Sequence, residues 1–314
     1  MRHIKEQITI AIVGDVHDLW DQEDEVALKH LGVDLVLFVG DFGNEAVEVV
    51  RKIASVSIPK ALIMGNHDAW YTATAWGRKK APYDHSIEDR VQQQLDLLGN
   101  AHVGFSKLDF PQFNLSVVGS RPFSWGGSTW RNKKFYSDRY KINNFAESTA
   151  RIVASAKDTP HDTIIFVGHN GPTGLGERPE DTCGKDWQPL GGDYGDPDFA
   201  EVINQARTLG KSIPLVTFGH MHHRLRHRKD CLRTAINKSQ EGTIYVNSAC
   251  VPRIVKEKGE LKRNFSLVSL TQGKVTRVTL IWLLQNKEIA SSKILYDQQK
   301  FNAPSLLDFG QTAK

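Results

Sequence analysis

Five short apolar runs in this chain stop at a glycine and then present side chains of the metal-ligand type. Residues 9–13 run into Gly14-Asp15-Val16-His17, and residues 35–39 into Gly40-Asp41-Phe42-Gly43-Asn44. Residues 61–64 run into Gly65-Asn66-His67-Asp68. Residues 163–167 run into Gly168-His169-Asn170-Gly171-Pro172, and residues 215–218 into Gly219-His220-Met221-His222. A short apolar run bounded by turn residues reads as a buried strand. Glycine then allows a sharp turn. In open α/β sheets, ligands collect just beyond the carboxyl ends of the strands. The pattern therefore calls for an α/β fold whose strands deliver polar side chains to one edge.

The spacing supports parallel strands. Asp15 and Asp41 are 26 positions apart, and Asp41 and Asn66 are 25 apart, close to a βαβ unit of about 30 residues. Asp21 or a neighbour is placed to cap a helix through Val26, Leu28 and Leu31 that Gly32 stops. Asn44 is expected to cap the next helix, with Ala46, Val49, Val50 and Ile53 on its apolar face. Ser86 is expected to cap a third, with Ile87, Val91, Leu95 and Leu98 facing inward. Residues 144–157 read as a helix, and Asp196-Pro197 starts another, buried through Phe199, Val202, Ile203 and Ala206. Residues 69–85 read as a loop. Residues 170–195 carry seven glycines and no periodicity, as a functional or mobile loop does. Segments 243–246, 265–270 and 274–282 read as antiparallel strands. We expect one domain over residues 1–284 and a loosely packed polar tail over 285–314.

Composition narrows the class. With 40% hydrophobic and 24% charged residues, the chain is an ordinary globular protein. No run approaches the ~18 apolar residues of a membrane span, and residues 1–7 read as neither signal nor transit peptide. Cys183, Cys231 and Cys250 are odd in number and widely spaced, which fits free thiols in a reducing compartment. The expected location is cytoplasmic, or the plastid stroma for the mature form of a plastid protein. A net charge of +4 mildly favours anionic substrates and does not call for nucleic acid. Oligomeric state is not legible.

Asp15, His17, Asp41, Asn66, His169, His220 and His222 offer carboxylate, amide and imidazole donors without a thiolate. Such donors suit manganese, iron, zinc and similar ions. Seven of them exceed one four-coordinate ion and suit two ions sharing a carboxylate. Paired ions can activate water and clamp both oxygens of an in-line displacement.

On these motifs the chain resembles the calcineurin-like metallophosphoesterase superfamily, and its overall pattern resembles a cyanobacterial and plastid branch. The resemblance implies a four-layer α/β/β/α sandwich with two central sheets. It implies two metal ions, with Mn, Fe or Zn as the candidates. Asp15, His17 and His222 would hold one ion, Asn66, His169 and His220 the other, and Asp41 would bridge them. His67 would stand outside the metals, near the leaving group, as acid or electrostatic stabiliser. The implied activity is hydrolysis of a phosphate mono- or diester by a metal-held hydroxide, on a phosphorylated small molecule or nucleotide. Two rivals stay open: a metal-binding interaction scaffold of the same fold, and a nuclease of the same superfamily. The scaffold has a precedent in a retromer subunit, but that subunit lacks the outer histidine. Many relatives carry aspartate where this chain has Asn44, and phosphoprotein phosphatases carry arginine where it has Glu45.

Other residues admit two readings each. Asp68 either supports a neighbouring imidazole or caps a turn, and the supporting, catalytic role is the expectation. Arg121 could fork onto a substrate phosphate or lie on the surface. Trp70, Trp125, Trp130 and Trp187 could stack on a base or cover the core. Arg78-Lys79-Lys80 reads as a solvated face. The basic stretch 222–229 either attracts phosphate esters or protects an edge strand.

Overall fold

Alternation along the strands decides the layering. In the computed structural model, which describes residues 5–257 and 259–301, β1 (Gln7–Val13) turns Ile8, Ile10 and Ile12 one way and Ala11 and Val13 the other. The chain continues through α1 (Gln22–His30), β2 (Leu35–Phe38), α2 (Val47–Ala54) and β3 (Lys60–Leu62). β1, β2 and β3 are parallel neighbours. Next come α3 (Ala75–Lys80), α4 (Arg90–Leu98), β4 (Lys107–Phe110), β5 (Leu115–Gly119), α5 (Lys133–Tyr140), α6 (Phe145–Lys157) and β6 (Thr163–Val167). They are followed by α7 (Pro197–Thr208), β7 (Ser212–Phe218), β8 (Ile236–Lys238) and β9 (Ile244–Asn247). Four strands return to the first sheet: β10 (Ile254–Glu257), β11 (Glu260–Thr271), β12 (Lys274–Leu284) and β13 (Ile289–Asp297), before the short α8 (Gln298–Phe301).

Among the described residues the first sheet runs β13-β12-β11-β1-β2-β3, with β10 beside β11, and the second runs β4-β5-β6-β7-β9-β8. Ile8, Ile10, Ile12, Leu35 and Leu37 share one buried cluster with Val117, Ile165, Val167 and Leu215 of the second sheet. This is the layer between the sheets. On the outer faces, Val36 and Phe38 cluster with Leu28, Val50 and Ile53 of α1 and α2, and Phe166 and Val216 with Ile152, Phe199 and Val202 of α6 and α7. The architecture is the expected α/β/β/α sandwich. Strands buried on both faces lose the polar alternation of a half-exposed strand, which is why they read as continuous apolar runs.

Local expectations fared unevenly. Asp21 caps α1, accepting from the Glu23 amide while Asp24 accepts from the Asp21 amide. Residues 145–157 form the expected helix α6, with Asn144 as its cap. Asn44 does not cap α2, whose start has no side-chain cap. Ser86 caps nothing either: Asp84 engages it in a turn, and Asp89 caps α4 instead. Ile87 is left 82% exposed. The 69–85 segment is not all loop, since α3 lies within it with Thr74 as its cap. β9 is parallel to β7, not antiparallel, because β8 first carries the chain back across the sheet. The stretch 222–229 forms no strand. The boundary at 284 also needs correction: residues 289–297 pair with β12 as β13, so part of the expected loose tail is sheet. Residues 302–314 lie outside the described residues.

Candidate metal centre

The turns after β1, β2, β3, β6 and β7 converge at one edge, where several candidate ligands have strained backbone and the loops approach one another closely. Asp15, Asp41 and His220 have φ of 35°, 53° and 65°, and His17 has 43°. Left-handed angles are uncommon outside glycine and persist where surrounding structure over-determines them, often at functional sites. A Cβ on Gly65 would sit 2.2 Å from Asp41 Oδ1, and one on Gly219 would sit 2.2 Å from Asp15 Oδ1. The glycines that end these strands therefore serve more than the turn. They let one ligand-bearing loop lie directly against the next.

Asp68 ties two of these loops together. Its carboxylate accepts from the backbone amides of Gly65 (2.6 Å), Phe42 (2.8 Å) and Asp41 (3.0 Å). Both oxygens are thus occupied by main chain, and no imidazole touches them. The expected support of a histidine by Asp68 is corrected: it clamps the Asp41 turn onto the Gly65 turn.

The candidate ligand atoms then fall into two sets about Asp41. On one side, His169 Nε2 lies 2.9 Å from Asn66 Oδ1, 3.2 Å from His220 Nδ1 and 3.3 Å from Asp41 Oδ1. His220 Nδ1 is 2.9 Å from Asn66 Oδ1. On the other side, His222 Nε2 lies 3.1 Å from Asp15 Oδ2 and 3.4 Å from His17 Nε2. His17 Nε2 and His67 Nε2 are each 4.0 Å from Asp41 Oδ2. Asp15, His17 and His222 form one group with ligand atoms within 4.8 Å of one another, and Asp41, His169 and His220 form another. His17, Asp41 and His67 make a third such group, so His67 borders the centre.

This arrangement fits cations. His169 Nδ1–H donates to the Val39 carbonyl at 2.8 Å, which leaves its Nε2 as a lone pair facing oxygen acceptors. Metal-bound imidazoles are oriented in this way. Asp15 Oδ2 is buried, with the His222 ring nitrogen 3.1 Å away and no main-chain donor on it. One or two protons cannot satisfy so many converging acceptors. A cation bound at about 2.1 Å to nitrogen or oxygen sets neighbouring ligand atoms about 3 Å apart, the spacing found here. Burial, reinforced by His169, pushes the His220 imidazole down to about 3, so it is neutral and able to ligate. Burial opposes the charge of Asp15, but the neighbouring histidines outweigh it and hold the carboxyl well below its usual range.

Outside the ligands, His67 Nδ1–H donates to Asn44 Oδ1 at 2.6 Å. That bond is where Asn44 goes instead of capping α2. Burial lowers the His67 pKa, with Asp41 opposing. Trp70, read as a base platform or core cover, stacks on the His67 ring at 4.5 Å and 11°. Trp130 is core. His223, next to a ligand, turns away and bonds the Asn247 carbonyl.

Arg121 is corrected most sharply. It is 3% exposed, with Nε on Asp198 and Nη2 on Asp196, each at 2.8 Å. Trp130 and Phe145 close over its guanidinium. Its donors are spent inside the protein, so it cannot bind substrate. Glu45 was legible only as a missing arginine. Its buried carboxylate accepts from the Thr72 amide and the Tyr83 hydroxyl, and so anchors the segment that carries Trp70.

No helix among the described residues is long and apolar enough to cross a membrane. No curated protein sequence matches the chain. Among solved structures, the chain is similar to a dimetal phosphatase from Danio rerio (10% identity, 92% of this chain and 98% of that one, TM-score 0.46). It is also similar to a purple acid phosphatase from yellow lupin seeds (14% identity, 98% and 57%, TM-score 0.43). A third likeness is to GAP50, the anchor in the inner membrane complex of Plasmodium (10% identity, 94% and 90%, TM-score 0.45). The profile of the calcineurin-like phosphoesterases matches residues 8–224, the span that holds all five strand-and-turn units built above. The chain belongs to the calcineurin-like phosphoesterase family and is a metal-dependent phosphoester hydrolase.

Proposed function

We propose that this hydrolase works with two metal ions that share Asp41. Asp15, His17 and His222 hold one ion, and Asn66, His169 and His220 hold the other. The observation that carries this reading is the position of Asp41, whose Oδ1 faces His169 and whose Oδ2 faces His17. When bound, such a pair supplies Lewis-acid polarisation of the phosphate oxygens and a water acidic enough to attack at neutral pH. The chain's own residues do the rest. His169 is fixed by the Val39 carbonyl. Asp68 holds the Asp41 and Gly65 turns in register. His67, with its Nδ1–H committed to Asn44, presents Nε2 towards the site and, as the imidazolium, gives the Nε2 proton to the departing alkoxide.

The substrate is a phosphorylated small molecule or nucleotide, and the ions are drawn from manganese, iron and zinc. The test is metal content together with hydrolysis of aryl and alkyl phosphate mono- and diesters, on the wild type and on His67→Ala. About two ions per chain, and a rate on the alkyl esters that collapses in the variant while the ions stay, support the reading. A chain that binds no metal sinks it. Ions bound without turnover of any ester would move the assignment to an interaction scaffold.

A further inference from the structure

His67 and Trp70 are three residues apart on a 3-10 turn that spans His67–Ala69 and ends on Trp70. Side chains at i and i+3 eclipse on such a turn, and here the two rings lie face to face, 4.5 Å apart and 11° from parallel. Trp70 does not end in solvent. Trp125, from the loop between β5 and α5, stacks against it at 5.4 Å and 20°, and Trp76 meets it edge-on at 6.0 Å. The imidazole is thus the end member of a three-ring stack rooted outside the centre.

The stack supplies what the hydrogen bond to Asn44 lacks. One bond from Nδ1 to an amide oxygen fixes one atom of the ring and leaves the plane free to swing about that axis. His17 meets the ring edge-on at 5.0 Å and 86°, whereas Trp70 lies nearly parallel against its face and so resists that swing. Trp70 is itself half-buried and is not a core residue, so filling the interior does not account for it.

We infer that Trp70, backed by Trp125, is a positioning residue that aims His67 Nε2 at the leaving-group oxygen. The inference rests on the acid role of His67 proposed above. A proton donor matters most when the leaving group is a poor one. An activated nitrophenyl ester departs without a proton, whereas an alkyl ester does not.

The test uses Trp70→Leu and Trp70→Phe in the full chain, with two readouts. The first is independent of turnover: the imidazole proton resonances of His67 in the zinc-loaded protein, assigned with His67→Ala. Trp70→Leu should move or double them by removing the stacked face, while Trp70→Phe, which keeps a ring, should retain a single environment. Unchanged His67 resonances in Trp70→Leu would overturn the inference. The second readout is kcat with manganese, on activated and alkyl esters of the class that the wild type hydrolyses. Trp70→Leu should lose about tenfold to 100-fold on the alkyl ester, keep its rate on the activated one, and add little to the loss in His67→Ala. An equal loss on both esters, or full additivity with His67→Ala, rejects positioning. If His67→Ala itself shows no dependence on the leaving group, the acid role of His67 falls and the inference falls with it. A loss in His67→Ala that Trp70→Leu does not share removes the inference alone.

Discussion

His67 Nδ1 stands 2.6 Å from Asn44 Oδ1, so the outer histidine leans on a neutral amide where many relatives supply a carboxylate. Burial lowers the His67 pKa, and an amide does nothing to raise it. Asn44→Asp should therefore raise it by favouring the imidazolium. An acid works while protonated, so the rate falls as pH rises through its pKa. The alkaline limb of kcat on an alkyl ester should move up by about one unit in Asn44→Asp. A limb that stays in place would mean that His67 is not the acid.

Asp68 carries three backbone amides and no side chain. Asp68→Asn turns an NH2 group towards at least one of those N–H donors. The loss should be about 3 kcal/mol, the order of a hydrogen bond to a charged group plus an unpaired buried donor. Urea unfolding measures it. Metal content should drop in the same variant, because the Asp41 turn is then no longer held. A stable variant with full metal would refute the clamp.

Gly219 lies so close to Asp15 that a Cβ would press on its Oδ1. Gly219→Ala must displace either the carboxylate or the turn that delivers His220 and His222. Metal affinity should fall at least tenfold, as it does when the supports of metal ligands are disturbed, with little change in the helical signal by circular dichroism. Titration with zinc checks this, and unaltered affinity would contradict the packing.

Arg121 is a stability residue. Arg121→Ala leaves Asp196 and Asp198 buried without their cation, which should cost about 3–5 kcal/mol. Arg121→Lys should recover only part, since an ammonium cannot fork onto both carboxylates. In whatever fraction folds, KM should match the wild type. A raised KM at unchanged stability would restore the phosphate-binding role.

Arg226 is the better candidate for that role. It is exposed, lies over the Trp187 ring at 5.3 Å and acts electrostatically on His222. Arg226→Ala should raise KM for an anionic ester several-fold, most at low salt where charges are least screened, and leave kcat near its original value. An unchanged KM at low salt would remove Arg226 from substrate capture.

The candidate ligands could be read from the sequence because their chemistry is local. An apolar run, a glycine and then an imidazole or carboxylate name a strand, a turn and a donor within a few residues. The same holds for α1, whose cap and acidic first turn are contiguous. Where a polar residue had a distant partner, local reading failed. Asn44 has the composition of a cap, but His67, 23 positions on, takes its oxygen. Arg121 has the setting of a phosphate fork, but Asp196 and Asp198 reach it from another helix start. β13 has an exposed, polar pattern because it is an edge, and an edge strand lacks the burial that makes strands visible in a sequence.

The sequence by itself determined the strand-and-turn period, the donor types and their order along the chain, since these follow from hydrophobicity and backbone freedom over short stretches. Tertiary structure alone decided which donors share a space, which charges are spent inside the protein, and which ring faces His67. Those outcomes depend on distances between residues far apart in the chain, and only packing sets such distances.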